Sequence, residues 1–218
     1  MRDRPRQTRS GGDRMGGSIK SSVRAMAAPL GAVLARAGVS ANGVTLAGLV
    51  LAGITGAMLA GGRWGLGLLF FLASSLCDLL DGAVARARGA SGSPLGAALD
   101  STADRYGEAL VLGGVLIDAH LRSGAGEIYT WIWVLALTGS FLTSYVRARA
   151  EGLGLRCEVG LMERPARLAL IGILCLIGPR AGIWTLTLLA LGGHITFVQR
   201  LLHVRRESMR PARDREGH

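Results

Sequence analysis

The sequence predicts an all-α integral membrane protein: a six-transmembrane-helix bundle preceded by an N-terminal juxtamembrane amphipathic helix. Half of the 218 residues are apolar, and mean hydropathy is +0.37 even though both ends of the chain are polar. The apolar residues gather into six runs, about 42–62, 64–85, 95–118, 128–150, 164–179 and 182–204. Each approaches the roughly 20 residues that a bilayer core requires, the fifth being short. The basic residues are also distributed asymmetrically about these runs, as a multi-pass protein demands.

From the N-terminus, residues 1–17 are rich in Arg, Gly and Ser with no apolar period, and read as a disordered basic tail. Residues 18–40 carry Lys20, Arg24 and Arg36 among small apolar residues, which suits a helix on the membrane surface, interrupted near Pro29. Residues 41–206 hold the six spans. Gly61-Gly62, Gly89 to Pro94, Ser123 to Gly126 and Gly178-Pro179 punctuate them. Residues 207–218 read as a polar basic tail. The first long apolar run begins only near residue 42, so no secretory signal is expected.

With the N-terminus inside, six spans return the C-terminus to the same side. The outer connections then hold only Arg63, Arg122 and Arg180, while Arg86, Arg88, Arg147, Arg149, Arg156, Arg164 and Arg167 fall in or near the inner ones. The positive-inside rule therefore places both termini in the cytoplasm. The net charge of +10 belongs to this pattern. Its arginines flank apolar segments and have few aromatics beside them, so a membrane surface is expected as the partner rather than nucleic acid. Thirty-three glycines suit close helix contact. Cys77, Cys157 and Cys175 are odd in number and lack metal-ligand spacing, so no disulfide framework is implied; Cys77 reads as a small buried hydrophobe.

Four aspartates interrupt this apolar chain. Asp78, Asp81, Asp100 and Asp104 are the only acids in their 27-residue stretch. A carboxylate at the centre of a membrane helix costs roughly 2.5–3.5 kcal/mol, so four would cost on the order of 10 kcal/mol without compensation. Spacings of three and four residues put each pair on one helix face. Hard carboxylate oxygens suit Mg²⁺, Mn²⁺ or Ca²⁺, and four of them suffice for two cations that would clamp a phosphate or pyrophosphate. Gly82, Ala85 and Gly96 leave room for a bulky ligand against the backbone, and Arg86 offers a guanidinium to a phosphate. Paired acids in membrane helices also build cation pathways, so a cation-coupled transporter is the alternative from another class.

The order Asp78-x2-Asp81-Gly82-x2-Ala85-Arg86-x9-Gly96-x3-Asp100-x3-Asp104 resembles the signature of the CDP-alcohol phosphotransferases, with all eight specified positions met. The resemblance implies a six-helix membrane enzyme using two ions, Mg²⁺ or Mn²⁺. It would transfer the phosphatidyl group of CDP-diacylglycerol to an alcohol and release CMP. Asp78, Asp81, Asp100 and Asp104 would hold the metals, and Asp104 would also be the catalytic base. Asp81, Gly82, Ala85, Arg86 and Gly96 would border the nucleotide. Ser40-Ala41-Asn42-Gly43-Val44-Thr45 resembles the family's Pro-Asn-x-x-Thr entry to the first span, with Ala41 in place of proline. Asn42 and Thr45 are thereby candidates to face the CDP-lipid; Ser40 or Asn42 equally suits a helix N-cap. The family commonly forms homodimers.

The second half bears on the acceptor. Arg147, Arg164, Arg167 and Arg200 fall near the inner ends of spans four, five and six. Guanidinium forks match phosphate oxygens, so the four arginines point to a phosphorylated alcohol. The stretches Ser144-Tyr145-Val146-Arg147-Ala148-Arg149-Ala150-Glu151 and Glu163-Arg164-Pro165-Ala166-Arg167 resemble the family's phosphatidylinositol-phosphate and archaetidylinositol-phosphate synthase branch. Arg147 stands where that branch often has lysine, and Pro165 is a variation. Inositol phosphate is thus the expected acceptor, with glycerol 3-phosphate the alternative.

Overall fold

The computed structural model describes residues 25–89 and 93–209. The expected tail 1–17, the first part of the expected surface helix, the break after Gly89 and most of the C-terminal tail lie outside these residues. Among those described, the chain is helical with no strand: α1 (Ala25–Arg36), α2 (Ala41–Ala60), α3 (Trp64–Ala87), α4 (Pro94–Ser123), α5 (Glu127–Gly152), α6 (Arg164–Ile177), a 3₁₀ turn (Pro179–Ala181) and α7 (Gly182–Ser208). A helix stands at each of the six predicted runs.

The boundaries have local causes. Ser40 caps α2 by accepting the Gly43 N–H at 3.1 Å, and Ser93 caps α4 by accepting the Gly96 N–H at 2.9 Å. Pro94 follows Ser93 as the first helical residue of α4, where its missing N–H costs nothing. Gly178, at φ +89°, stops α6 before the 3₁₀ turn. The interruption expected near Pro29 does not occur, because α1 runs unbroken through it to Arg36. Pro29 lacks the N–H that would bond the Ala25 carbonyl, a single bond in a helix that continues past it. At the other end, α7 continues to Ser208, past the expected tail boundary at 207.

Three segments are long and apolar enough to cross a membrane: Ala41–Ala60, Trp64–Ala87 and Pro179–Ser208. The others fall short for visible reasons. α4 carries Asp100, Asp104, Arg105 and Glu108, α5 ends in charged residues, and α6 has only 14 residues. Large apolar side chains lie exposed along these helices, among them Val50, Leu69, Trp131, Leu176, Trp184 and Leu191. In water such a surface would promote association; in a bilayer it is solvated.

The chain divides into two compact units. The first takes in the described residues of Met1–Leu49 and Ala73–Ala103, the second those of Val50–Leu72 and Asp104–His218, so α2, α3 and α4 each contribute to both. In the first unit, Ala27, Val44, Leu80, Ala83 and Val84 form the core. Gly31 of α1 approaches Ala83 so closely that a Cβ there would lie 2.5 Å from the alanine methyl. In the second unit the core is built on Leu59, Leu112, Ile171, Leu174, Leu186 and Leu189.

Backbones come close within the second unit because side chains are missing. A Cβ on Gly56 of α2 would strike the Leu110 carbonyl of α4, and one on Gly114 would strike the Gly56 carbonyl. α5 packs along α7 in the same way, a Cβ on Gly193 falling 2.9 Å from the Gly139 carbonyl carbon. These glycines serve helix crossings, as close packing in membrane bundles requires.

Candidate active site

The first unit brings together most residues of the signature. Asp81 is 8% exposed. Its Oδ2 accepts the Thr45 hydroxyl at 2.8 Å and its Oδ1 the Gly82 N–H at 2.5 Å. Thr45 sits one turn into α2 behind the Ser40 cap, and its hydroxyl also lies 3.2 Å from the Ala41 carbonyl. The charges of Asp100, on α4, and Asp78, one turn earlier on α3, both bear on Asp81. Asp78 and Asp100 are half-buried.

Small residues and one hydroxyl bind these helices together. The Ser74 hydroxyl donates to the Gly48 carbonyl at 2.9 Å, joining α3 to α2. A Cβ on Gly48 would meet the Cys77 Cβ at 3.0 Å and Asp78 Oδ1 at 3.6 Å. Cys77 is half-buried beside Asp78 and packs against the apolar cluster, as a small hydrophobe does. A Cβ on Gly96 would come within 3.3 Å of Asn42 Oδ1. Asn42, Thr45, Gly48, Asp78, Asp81, Gly96 and Asp100 thus stand in one unit on three helices. Arg86 is exposed, with its Nη1 3.2 Å from where a Gly82 side chain would begin, so the guanidinium lies over that glycine. Ala85 is half-buried on the same turn.

The donor chemistry suits a hard divalent cation. Asp81 and Asp100 offer only carboxylate oxygens, and no Lys or Arg pairs with either among the described residues. No three metal-ligating side chains are already drawn together among the described residues.

Asp104 belongs to the second unit, where it pairs with Arg164 and stands 3.6 Å from Arg105. One turn further along α4, Glu108 accepts the Ser140 hydroxyl at 2.6 Å and the Arg167 Nε at 3.2 Å. Both side chains of the Glu108–Arg167 pair are nearly buried, at 7% and 5% exposure. Arg167 also reaches the Met162 carbonyl at 3.3 Å and the Ser144 hydroxyl at 3.4 Å. Arg200, buried on α7, donates to the Val159 carbonyl at 2.8 Å and the Thr143 carbonyl at 2.6 Å. The charges of Arg147, Glu163 and Arg167 bear on it, so three of the four predicted arginines share one region with a glutamate among them. Arg147 pairs with Glu151 one turn on, at 2.8 Å.

The reading of the sequence assigns no role to Glu108, Ser140 or Ser144. The signal for Glu108 lay in its spacing, four residues after Asp104 and therefore on the same face of α4. Ser140 and Ser144, four apart on α5, offered the same hint. Nothing in the linear order paired α4 with α5.

With this arrangement established, comparison with known proteins defines the class. The family model for CDP-alcohol phosphatidyltransferase matches residues 38–198, and the chain belongs to that family of phospholipid-synthesising transferases. Among its relatives, the archaetidylinositol phosphate synthase of Methanothermobacter thermautotrophicus is 36% identical over 142 residues, covering 63% of this chain and 69% of the relative. The phosphatidylinositol phosphate synthase of Mycobacterium tuberculosis is 42% identical over 142 residues, covering 58% of this chain and 60% of the relative. The matched part is thus about three-fifths of the mycobacterial relative's length. The crystal structure of a Mycobacterium tuberculosis phosphatidylinositol phosphate synthase with CDP-DAG bound superposes with a TM-score of 0.75 at 32% identity, covering 82% of this chain and 92% of that one. Another, in complex with manganese and citrate, gives 0.74 at 32% identity, covering 82% and 88%. Family membership sets aside the transporter alternative.

Proposed function

We propose that the chain transfers the phosphatidyl group of CDP-diacylglycerol to a hydroxyl of inositol phosphate, releasing CMP and forming phosphatidylinositol phosphate. The observation that carries this acceptor is the group of Arg147, Arg167 and Arg200 in the second unit. Relatives whose names specify an inositol phosphate product support it, and none of these observations favours glycerol 3-phosphate. In the transfer, the acceptor hydroxyl oxygen bonds to the diacylglycerol-linked phosphorus. The bond from that phosphorus to the CMP oxygen breaks, and CMP leaves with the electron pair.

Asp78, Asp81, Asp100 and Asp104 would hold two divalent ions, Mg²⁺ or Mn²⁺. Bound there, such ions supply charge neutralisation for the pyrophosphate and the departing CMP. The protein's own groups bind and orient. Thr45 fixes Asp81, and Asn42, Gly82, Ala85, Arg86 and Gly96 border the nucleotide. Asp104 takes the proton of the attacking hydroxyl by proximity, with Arg164 orienting its carboxylate. Arg147, Arg164, Arg167 and Arg200 receive the acceptor's phosphate.

Residues 41–206 form the catalytic domain, with six helices spanning the cell membrane. Both termini and the aspartates face the cytoplasm, and two copies pair as a homodimer. Glycine-lined helix faces and the inner-side bias of the arginines support this arrangement.

The test is CMP release from CDP-diacylglycerol and Mg²⁺ by the purified protein, with each acceptor in turn. Inositol phosphate should support release and glycerol 3-phosphate should not. Release with glycerol 3-phosphate alone overturns the acceptor, and no release with any alcohol overturns the reaction.

A further inference from the structure

The second unit contains a cavity of about 190 Å³ that the transfer reaction does not use. Its walls include Trp64 at the start of α3, Asp118 near the end of α4, Ala125 in the α4–α5 connection, Tyr129 at the start of α5, and Pro179 and Ile183 at the α6–α7 junction. Along α4, Asp118 lies fourteen residues beyond Asp104, about 21 Å at the helical rise. The cavity is therefore remote from Asp104 and its arginine.

Asp118 is 1% exposed. Its Oδ2 accepts the Trp64 indole N–H at 3.3 Å. Its Oδ1 has the Arg122 Nε at 3.0 Å, but the approach is off the hydrogen-bonding line, and among the described residues this oxygen accepts no hydrogen bond. A buried carboxylate oxygen that lines a cavity with only an off-line guanidinium beside it can take a ligand that brings an aligned donor.

The surroundings narrow its chemistry. An indole and a phenol line the cavity, and aromatic faces attract organic cations. Arg122 already balances the Asp118 charge, so a simple cation would enter against a neutral pair. A zwitterion preserves the balance, its ammonium donating to Asp118 Oδ1 and its phosphate meeting the exposed Arg122. Two glycines admit the Arg122 and Tyr129 side chains. Gly62, at φ +71°, leaves the Arg122 Nε 2.5 Å from where a Cβ would lie, and Gly182 does the same for the Tyr129 hydroxyl at 2.6 Å. The cavity also sits at the ends of apolar helices, beside Trp and Tyr, where lipid headgroups are found.

We propose that this cavity binds an ammonium–phosphate zwitterion of the phosphoethanolamine type. The Asp118 oxygen that accepts no aligned hydrogen bond selects for an N–H donor, which a phosphocholine group lacks. The test compares thermal unfolding of the full chain in nanodiscs of phosphatidylethanolamine and of phosphatidylcholine. A third arm titrates tail-free glycerophosphoethanolamine into the detergent-solubilised protein. Phosphatidylethanolamine should raise the midpoint by several degrees over phosphatidylcholine. Stabilisation by glycerophosphoethanolamine identifies the headgroup alone as ligand; stabilisation only in discs identifies the lipid.

Asp118→Asn should abolish the difference. Ser123→Trp, at an exposed position on the cavity wall, should abolish it by filling the entrance, whatever Asp118→Asn does to folding. Equal midpoints in the two lipids, with no response to glycerophosphoethanolamine, would leave the cavity to water and overturn the proposal. A lipid difference that survives Ser123→Trp would trace to the bilayer and overturn it too.

Discussion

Thr45 and Asp81 make the sharpest residue-level claim, because one hydroxyl aims a carboxylate from an unrelated helix. Groups that orient metal ligands typically govern metal affinity by 10–100-fold. Thr45→Val should therefore raise the Mg²⁺ concentration for half-maximal CMP release by roughly tenfold or more, whereas Asp78→Asn or Asp100→Asn should abolish turnover. An unchanged Mg²⁺ titration for Thr45→Val would remove the hydroxyl from the site. Arg167→Ala should mainly raise the KM for inositol phosphate, and unaltered acceptor kinetics would take it out of the pocket. Cys157 offers a test by pH. It lies in the α5–α6 connection, and burial pushes its thiol up, against the lowering influence of Arg200 and Arg147. The native chain thus holds this proton more tightly than the unfolded one. Its contribution to stability is complete below about pH 8.5, the ordinary thiol value, and is lost as pH rises through the elevated one. Maleimide at pH 7.5 should label Cys157 only after unfolding; rapid labelling of the native chain would contradict its burial.

At the scale of elements, the decisive contacts are between backbones. Gly56 and Gly53 lie on the same helix, but a Cβ on Gly56 would collide with a Leu110 carbonyl, while one on Gly53 would rest 3.7 Å from a Leu110 methyl. Overpacking of this kind costs about 1–3 kcal/mol, or roughly 2–12 °C in a chain of this size. Gly56→Ala should lower the unfolding midpoint accordingly, and Gly53→Ala should leave it nearly unchanged. Equal effects would show that α2 and α4 do not cross as described. The helices themselves were legible in the sequence, since each of the six apolar runs became one. The apparent break at Pro29 misled, because the loss of one backbone N–H does not end a helix whose other turns continue.

For the molecule as a whole, the proposed six-span arrangement predicts which loops meet which side of the membrane. In a chain whose native cysteines are replaced, Ser123→Cys should react with a membrane-impermeant maleimide added outside intact cells. Arg88→Cys should react only after the membrane is opened. The reverse pattern would invert the topology, and labelling of both from one side would refute six spans. The three segments that qualify as spans on length and apolarity alone cannot by themselves carry the functional residues. The charges that disqualify α4 and α5 include ones assigned to the proposed site.

The sequence by itself determined the class of protein. Eight positions over 27 residues specify a chemistry, and apolar runs specify helices, because both are written in local spacing. It could not assign partners between helices. That Thr45 holds Asp81, that Arg167 lies against Glu108 and Ser144, and that Asp118 lines a cavity with Trp64 and Tyr129 are facts of packing. Residues tens of positions apart become neighbours where helices pack, most closely where glycines let backbones touch, and the depth of that contact is decided by the tertiary structure alone.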